Sequence, residues 1–495
     1  MKKKNKVIIV GSGNAALCAG IAALEKGAAV LMLEKASQEE MGGNSRYTAG
    51  AMRFVYNSNE DLLPLLLNPK DEKIAITEFG AYPKEKFQQD LLSFNDGRPL
   101  SIHQQILINE SYDTLRWLGE HNIKFEPIYS RQTFQKDGKY IFWGGLTLEA
   151  KGEGVGLVEA ELNEFFRLGG EIIYDCAVEE LIEEKGKVIG VNCHYKEEST
   201  RFLSDAVVLG CGGFEANPDL RKKFMGEKWV HSKVRGTRHN MGKGIEMAMD
   251  IGAVFHGVPD GCHATPMDKN MPNYGNPDIP YIERKHYRKI CYFLGVMLNA
   301  QGERFVDEGQ NFRNYTYAQF GRAILNQPQH FAWQIFDDKV SDLLYSEYRF
   351  WDASFVEANN LQDLVKQLGG VNQEQALKTL QDYNAAIDQE TPFDPTILDG
   401  KSTKGLALNK TNWANTLDTP PFKAYPVTCG ITFTYGGLKV TQNAAVLKEN
   451  DEPIHGLFAC GELVGGVFYN GYPGGSGLTS GAVFGRLAGH SAAGN

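Results

Sequence analysis

Residues 6–34, KVIIVGSGNAALCAGIAALEKGAAVLMLE, decide the fold of this 495-residue chain. Lys6 to Val10 has the apolar pattern of a buried strand, Asn14 to Lys26 is an alanine-rich helix closed by Gly27, and Ala29 to Glu34 is a second strand. A strand, a glycine turn, a helix and a strand within about thirty residues make a βαβ unit. The sequence therefore predicts an α/β protein that begins with a Rossmann-type, doubly wound parallel sheet.

The turn between the first strand and the helix has the GxGxx(G/A) spacing of a dinucleotide-binding loop. Gly11 permits the tight turn, Gly13 lets a pyrophosphate approach the backbone, and the small Ala16 lets the helix pack on the strand. Glu34 ends the second strand, where a carboxylate can accept hydrogen bonds from the ribose of an adenosine. The alternative is a structural turn followed by a solvated glutamate. The complete loop is Gly11, Ser12, Gly13, Asn14, Ala15 and Ala16.

Composition restricts the class of protein. The chain has 51 Lys and Arg against 61 Asp and Glu, a formal net charge of −10, so we expect no nucleic-acid partner. Hydrophobic residues make up 42% of the chain, which suits a folded protein with a sizeable core. The 8 cysteines lack the spacing of a metal site or an iron–sulfur cluster. The apolar run after Met1-Lys2-Lys3-Lys4 ends at Gly11, so we expect no signal sequence and a cytoplasmic protein.

The order of patterns predicts a nucleotide-binding domain that is interrupted by an inserted domain. The apolar run that begins at Ala206 is expected to return to the first sheet, and the two ends of the chain are expected to share that sheet. Between about Pro259 and Pro426, polar residues are common and continuous apolar strands are not expected. The chain ends in a predicted helix from Ser476 to Ala492. The predicted domains are residues 1–258 with 428–495, and an inserted α+β domain over residues 259–427.

A second glycine cluster, Gly42-Gly43-Asn44-Ser45, follows soon after the second strand. It combines flexible glycines with two short hydrogen-bonding side chains, so its backbone amides could meet a flavin ring or a pyrophosphate. The alternative is an exposed β-turn.

Several motifs occur in a fixed order along the chain: GSGNAA, Glu34, GGNS, VVLGCGGF, FACGELVGG and YPGGSGLTSGAVFGRLAG. In that order they resemble the FAD-binding subunits of the fumarate reductase and succinate dehydrogenase flavoprotein superfamily, over nearly the whole chain. GSGNAALCAGIAA, GGNSRYT and NGYPGGSGL are most similar to tricarballylate dehydrogenase, and YPG is shared with 3-ketosteroid Δ1-dehydrogenases. The resemblance implies an FAD-binding domain with an inserted capping domain that carries substrate residues and closes over the flavin.

The resemblance also implies which residues contact FAD. We expect a non-covalent cofactor, because the SRYT segment lacks the histidine that tethers flavin in succinate dehydrogenase. Glu462 is expected to bind the ribityl chain, and the start of the final helix, with its partial positive charge, to stabilise the reduced ring. Gly477, Gly481 and Gly485 are expected to give that helix a smooth packing face. The implied set is Gly11, Gly13, Asn14, Ala15, Ala16, Glu34, Lys35, Gly42, Gly43, Asn44, Ser45, Val178, Gly212, Gly213, Glu462, Gly475, Ser476, Gly477 and Leu478.

Two further positions, Arg313 and His263, resemble substrate residues of the superfamily, and two nearby arginines are candidates because of their charge. Arg313 follows GERFVDEGQNF, where an arginine transfers the proton in fumarate reductases; the alternatives are a carboxylate clamp and a surface ion pair. His263, in GCHATP, matches a substrate-binding histidine, and the alternative is a packed or surface histidine. Arg235 and Arg238, in VRGTRHN, would add positive charge for an acidic substrate unless they are solvated.

Two departures from the fumarate reductases change the expected substrate. Thr432-Phe433-Thr434 stands where they have His-His-Thr, and Tyr472-Pro473-Gly474-Gly475 stands where they have Asn-Arg-Leu-Gly-Gly. Plain fumarate or succinate chemistry is therefore not expected. In the ketosteroid enzymes the tyrosine of YPG abstracts a proton, so Tyr472 is a candidate base if its pKa, ordinarily about 10, is lowered. The alternative is a ring that packs on the flavin.

The resemblance therefore implies an FAD-dependent dehydrogenase that forms a C=C bond next to a carboxylate or carbonyl, with hydride transfer to flavin N5 and proton transfer to Arg313 or Tyr472. A tricarballylate-like polycarboxylate, positioned by His263 and arginines, is the first expected substrate. The alternatives are a 3-ketosteroid Δ1-dehydrogenase, an enoate reductase and a non-catalytic electron-transfer subunit. The expected partners are a small carboxylic acid and a quinone or membrane-bound electron acceptor.

Overall fold

A computed structural model describes residues 4–494, which form two compact units. The first unit contains the described chain up to Gly226, together with Gly236–His263 and the chain from Phe433 onward. The second unit contains Glu227–Arg235 and Ala264–Thr432. The inserted segment proposed from the sequence, residues 259–427, starts and ends about five residues before Ala264–Thr432. It does not include Glu227–Arg235. Met1–Lys3, the start of the segment considered as a signal sequence, lie outside the described residues.

The main sheet of the first unit has nine strands within residues 4–494 and a parallel centre. Lys6–Val10 pairs with Ala29–Leu33 on one side and with Ala206–Leu209 on the other. Pro453–Ala459 is the next parallel strand. The α/β class is therefore confirmed, as are the predictions that the run from Ala206 returns to the first sheet and that both ends of the chain share it. The other strands of this sheet are Glu171–Ile173, Cys176–Glu184, Lys187–Tyr195, Glu198–Leu203 and Ala445–Leu447.

Smaller sheets and further helices complete the first unit. The short strands are Ala51–Met52, Thr77–Glu78, Phe125–Pro127, Thr133–Lys136, Lys139–Phe142, Leu148–Ala150, Phe255–His256 and Gly437–Leu438. The α-helices other than the first and last are Asn59–Leu62, Glu72–Ala75, Lys84–Leu92, Ile102–Glu120, Tyr129–Gln132, Glu153–Arg167, Pro218–Met225 and Lys243–Asp250.

The first helix, Asn14–Glu25, packs against the last helix, Ser476–Ala493. Glycines make this contact possible, because a Cβ at Gly485 or Gly489 would overlap with backbone atoms of the first helix. A Cβ at Gly481 would lie 2.7 Å from an amide nitrogen of the Asn14 side chain. Two of the three glycines predicted to form a packing face therefore do so. The third, Gly477, faces aromatic rings instead.

The second unit is built on a six-stranded sheet within the described residues. Phe331–Phe336 is buried along its whole length and pairs antiparallel with Phe422–Thr434. The expectation that continuous apolar strands are missing from this region was wrong. Polar Gln334 interrupts the apolar run, but its amide donates to the Lys289 carbonyl at 2.7 Å, so it is buried without losing its hydrogen bonds. The other strands of this sheet are Lys233–Val234, Cys262–Asp268, Val296–Leu298 and Val356–Ala358.

Four α-helices belong to the described part of the second unit. The longer ones are Arg313–Leu325 and Gln373–Ala385. Apolar side chains from the sheet and these helices form its two larger hydrophobic clusters. None of the helices between residues 4 and 494 in either unit combines the length and hydropathy required to span a bilayer. The shorter helices are Tyr281–Arg284 and Leu361–Gln367.

A cluster of charged side chains joins four helices of the first unit. His121 lies 2.9 Å from a Glu25 carboxylate oxygen and 2.7 Å from one of Glu164, and His490 also contacts Glu25. Arg167 pairs with Glu164 at 2.6 Å. Hydrogen bonds from Arg167 and His121 lower the pKa of Glu164 to about 2, and the bond to Glu25 raises the pKa of His121. The cluster therefore makes a pH-dependent contribution to stability.

We predict that His121→Gln lowers the free energy of unfolding by about 1 kcal/mol near pH ~6 and by less near pH ~8.5. The His121 contribution is complete below the unfolded-state pKa of about 6.5 and disappears as the pH rises through the raised folded-state value. The carboxylate contributions behave oppositely and disappear only as the pH falls below about 4.3. Urea unfolding at both pH values checks this, with the exposed His194→Gln as the control. Equal losses at both pH values would contradict it.

Candidate functional site

The first helix begins at a glycine turn that can face an anion. Gly11 has φ +99°, a left-handed conformation that glycine adopts freely, and a Cβ there would lie 2.6 Å from the Gly210 carbonyl oxygen. Gly13 is the N-cap, so the cap residue has no side chain, and the first turn contains no acidic residue. The Asn14 backbone N–H donates to the Ser45 hydroxyl at 3.0 Å, which joins the GGNS cluster to this turn. The positive end of the helix therefore suits a phosphate.

Ser12, which was not among the residues predicted to contact FAD, connects Glu34 to the second glycine cluster. Its hydroxyl donates to the Glu34 carboxylate and accepts from the Gly42 backbone N–H at 3.1 Å. The other Glu34 oxygen accepts from the Ala36 N–H at 2.7 Å. Each carboxylate oxygen keeps a second acceptor position, so Glu34 is oriented but can still receive ribose hydroxyls. Ser12 occupies the variable position of the loop motif, where sequence alone gives no signal.

Glu462, predicted to bind a ribityl chain, lies in a buried polar cluster with Glu215. The Thr434 backbone N–H and hydroxyl donate to one Glu462 oxygen at 2.6 and 2.9 Å. Asn44 and Asn240 donate to one Glu215 oxygen at 2.6 and 2.5 Å. Burial, together with the neighbouring Glu462 carboxyl, raises the pKa of Glu215 well above its ordinary value. Glu215 was not among the predicted site residues. It directly follows Gly212-Gly213-Phe214, and this closeness to a predicted cofactor-binding segment is the signal that would have indicated it.

The last helix also begins at a glycine without a capping side chain. Gly475, its N-cap, has φ +90°, and the first turn contains no acidic residue. The Asn14 side chain donates to the Leu478 carbonyl at 2.9 Å, so the beginnings of the first and last helices are linked. Ser476 donates back to the Pro473 carbonyl at 2.6 Å, which closes the turn. This arrangement presents a second positive helix end close to the first.

Arg53, a buried residue that was not predicted, holds the turn before the last helix. Its Nε donates to the Gly474 carbonyl at 2.7 Å, and its backbone N–H donates to the Gly475 carbonyl at 3.1 Å. Nη1 donates to the Gly144 carbonyl at 2.8 Å, and the guanidinium lies 4.7 Å from the centre of the Tyr82 ring. Because the carbonyl groups that its side chain binds are more than 90 residues away in the sequence, no local pattern reveals this role.

Tyr472 and His263 lie together beside that turn. The Tyr472 hydroxyl is 3.5 Å from Nδ1 of His263, and the two ring centres are 5.2 Å apart. The structure thus brings together two of the three residues predicted to be catalytic. The Phe433 ring contacts both, at centre distances of 5.5 and 5.3 Å. Tyr435 and Phe468 extend the group, and we call these five residues the aromatic cluster.

The donor set of the first unit fits FAD. Two glycine-capped helix ends suit a pyrophosphate and an electron-rich ring, and Glu34 suits an adenosine ribose. A Cβ at Gly213 would overlap with a Glu462 oxygen, so the glycines of GCGGF make room for that carboxyl group. Lys35 is exposed, and Val178 is buried opposite Cys193 in the outer strand pair.

The third predicted catalytic residue, Arg313, begins a helix of the second unit and is buried. Its guanidinium lies 5.2 Å from the centre of the Tyr345 ring. Burial acts to lower the pKa of Arg313, but the neighbouring tyrosines and Cys291 outweigh it, so the pKa is raised. Arg235, in the same unit, is buried and donates to the Thr432 hydroxyl at 3.4 Å. Arg238, in the first unit, pairs with Glu40 at 2.8 Å and is largely exposed.

Comparison with known proteins agrees with this geometry. Among curated proteins, the NADH:fumarate oxidoreductase of Klebsiella pneumoniae (strain 342) is 26% identical over 99% of this chain, which spans only 48% of that relative. The vinyl phenol reductase of Lactiplantibacillus plantarum is 25% identical over 98% of this chain and 96% of its own length. Among solved structures, the open conformation of a flavocytochrome c3 fumarate reductase has a TM-score of 0.73 at 25% identity and covers 99% of this chain and 78% of its own.

A family model described as an FAD binding domain matches residues 6–478. This match covers most of the chain and includes the glycine turn, Glu34, GGNS, GCGGF and Glu462. The resemblance to the fumarate reductase superfamily is confirmed, as is the assignment of FAD as the cofactor. The chain therefore belongs to the FAD-binding-domain family.

Proposed function

We propose that this protein is an FAD-dependent oxidoreductase that forms or reduces a C=C bond next to a carboxylate or carbonyl group. FAD, when bound, supplies a hydride acceptor and donor at N5. The observation that carries the proposal is the buried Tyr472–His263 pair, because it lies at the start of the last helix, where the resemblance puts the flavin ring. We also propose that FAD is held without a covalent bond.

In this proposal Tyr472 exchanges the proton with substrate. In the oxidative direction its oxygen accepts the proton of the carbon next to the hydride donor and passes its own proton to Nδ1 of His263. In the reductive direction the same oxygen donates. Arg313 holds an anionic group of the substrate rather than exchanging protons, because a guanidinium stays charged and offers several hydrogen-bond donors to a carboxylate.

Two substrate classes follow from different features of the chain. Buried Arg313 and Arg235 in the second unit support a carboxylic acid, with tricarballylate as the first candidate. The aromatic cluster supports a second candidate, a flat unsaturated ring or aryl compound, because aromatic side chains favour stacked or edge-on rings. Electrons would pass to a quinone or a membrane-bound partner protein.

Anaerobic mixing of the purified protein with substrates tests the function directly. We expect bleaching of the flavin absorbance by tricarballylate or by a saturated ring carbonyl compound, or reoxidation of the reduced flavin by the matching enoate or enone. A 3-ketosteroid is included in the panel. If no compound bleaches or reoxidises the flavin, the chain is not this type of oxidoreductase.

We predict that Tyr472→Phe slows single-turnover flavin reduction by about 10² to 10⁴, the usual contribution of general acid–base catalysis, with little change in substrate affinity. Tyr435→Phe removes a hydroxyl from the same aromatic cluster and serves as the matched control. Arg313→Lys is expected to weaken the binding of a carboxylate more than it slows reduction. A large loss of rate in Arg313→Lys with none in Tyr472→Phe would reverse the two roles.

We predict that Arg53→Lys weakens FAD binding and lowers the free energy of unfolding of the apoprotein by about 1–3 kcal/mol. Lysine keeps the charge but cannot donate to the Gly474 and Gly144 carbonyls from one planar group, so at least one buried carbonyl loses its donor. Arg98→Lys, which changes an exposed arginine of the same unit, is the control. FAD titration and urea unfolding measure the two effects, and an unchanged flavin affinity would show that the turn does not need Arg53.

A further inference from the structure

The proposed chemistry makes no use of Glu215, the most deeply buried carboxyl group of the cofactor site. Its Oε1 accepts hydrogen bonds from the side-chain amides of Asn44 and Asn240. Asn44 belongs to the GGNS cluster and also accepts from the Thr237 backbone N–H at 2.8 Å. Three separate loops therefore meet at one oxygen of Glu215.

The second oxygen of Glu215 has different surroundings. Oε2 is buried, and no nitrogen or hydroxyl donor of the described residues reaches it. The side chain of Glu215 makes a hydrogen bond with the side chain of Glu462. Such a contact requires one of the two groups to carry a proton, because two adjoining carboxylates repel each other and have no hydrogen to share.

The surroundings indicate which group carries the proton. The donors to both carboxyl groups are neutral: two side-chain amides for Glu215, and a backbone N–H and a hydroxyl for Glu462. Glu215 is fully buried, whereas Glu462 is partly exposed, and burial penalises the charged form.

We propose that Glu215 is a neutral carboxylic acid that donates a hydrogen bond to the Glu462 carboxylate and thereby positions it. Glu215 is a positioning residue, since it acts through Glu462 and not on the cofactor itself. That Glu462 in turn contacts FAD rests on the proposed function. The location of the proton does not, because the pair belongs to the protein alone.

Glutamine tests the location of the proton because it has the same shape as a protonated glutamate. In Glu215→Gln the amide oxygen can accept from Asn44 and Asn240, and the amide N–H can donate to Glu462. We expect the dissociation constant for FAD to stay within about 3-fold of the wild type, whereas Glu215→Ala raises it at least about 10-fold by leaving the three partners unsatisfied. Glu462→Gln is expected to raise the dissociation constant for FAD more than Glu215→Gln does. In that variant the amide N–H of the new glutamine would face the O–H of Glu215, so two donors would oppose each other.

Infrared spectroscopy of the apoprotein provides the second readout. We expect a carbonyl band of a protonated carboxylic acid at pH ~8, where an ordinary carboxyl group with a pKa near 4.3 is ionised, and we expect Glu215→Gln to remove it. Glu161 is another buried carboxyl group of this unit with a strongly raised pKa, so it would give a band of its own. The Glu215 band is therefore assigned by comparing Glu161→Gln with the Glu161→Gln, Glu215→Gln double variant.

The outcomes separate this inference from the proposed function. Loss of the band when Glu215→Gln is added to Glu161→Gln, with near-normal FAD binding in Glu215→Gln, supports the inference. A band that persists in that double variant, or a Glu462→Gln variant that binds FAD better than Glu215→Gln, overturns it. If Glu215→Gln does not fold, the infrared spectrum of the Glu161→Gln protein still tests the protonation of Glu215. A Glu161→Gln spectrum that lacks the band at pH ~8 excludes a neutral Glu215. Failure of every substrate to bleach the flavin would leave these spectra unaffected.

Discussion

The close contact between the first and last helices is the constraint on which the cofactor site depends. Gly481, Gly485 and Gly489 let the last helix approach the backbone of the first, and any larger side chain there would push the two apart. At this distance the Asn14 side chain reaches the Leu478 carbonyl. Two positive helix ends, one from each end of the sequence, are thereby fixed next to one another. Neither helix could present this arrangement alone.

A site that receives an anionic cofactor must control its own carboxyl groups. At about 4 Å and an effective dielectric constant of about 20, two unit charges interact by ~4 kcal/mol, enough to cancel the benefit of a helix end. Here Glu34 is bound by Ser12 and by the Ala36 N–H, which oppose its charge with oriented dipoles. Glu215 carries a strongly raised pKa and lies against Glu462. The negative charge of Glu34 is therefore opposed by oriented dipoles, and the raised pKa of Glu215 favours its neutral form.

The fold was largely predictable because its signals are local. KVIIV, the helix from Asn14 and the second strand are contiguous patterns, and the parallel sheet follows from them. The buried polar contacts were not predictable, because their partners are distant in sequence: Asn44 and Glu215 are separated by 171 residues, and Arg53 and Gly474 by 421. The strand Phe331–Phe336 was missed for a related reason, since the hydrogen bond that lets Gln334 be buried comes from tertiary structure.

Under the proposed function, the residues beside the turn that precedes the last helix would contact the substrate. Where the fumarate reductases have a histidine and an arginine, this chain has Phe433 and Tyr472, whose rings contact each other. A dicarboxylate in contact with these rings would lose water without gaining a cation, which is costly for a charged group. A ring or a vinyl group would lose little and would gain stacking and edge contacts. Under the proposed function, replacing the two polar positions by rings would alter which substrate fits, while a phenol paired with a histidine could still exchange a proton.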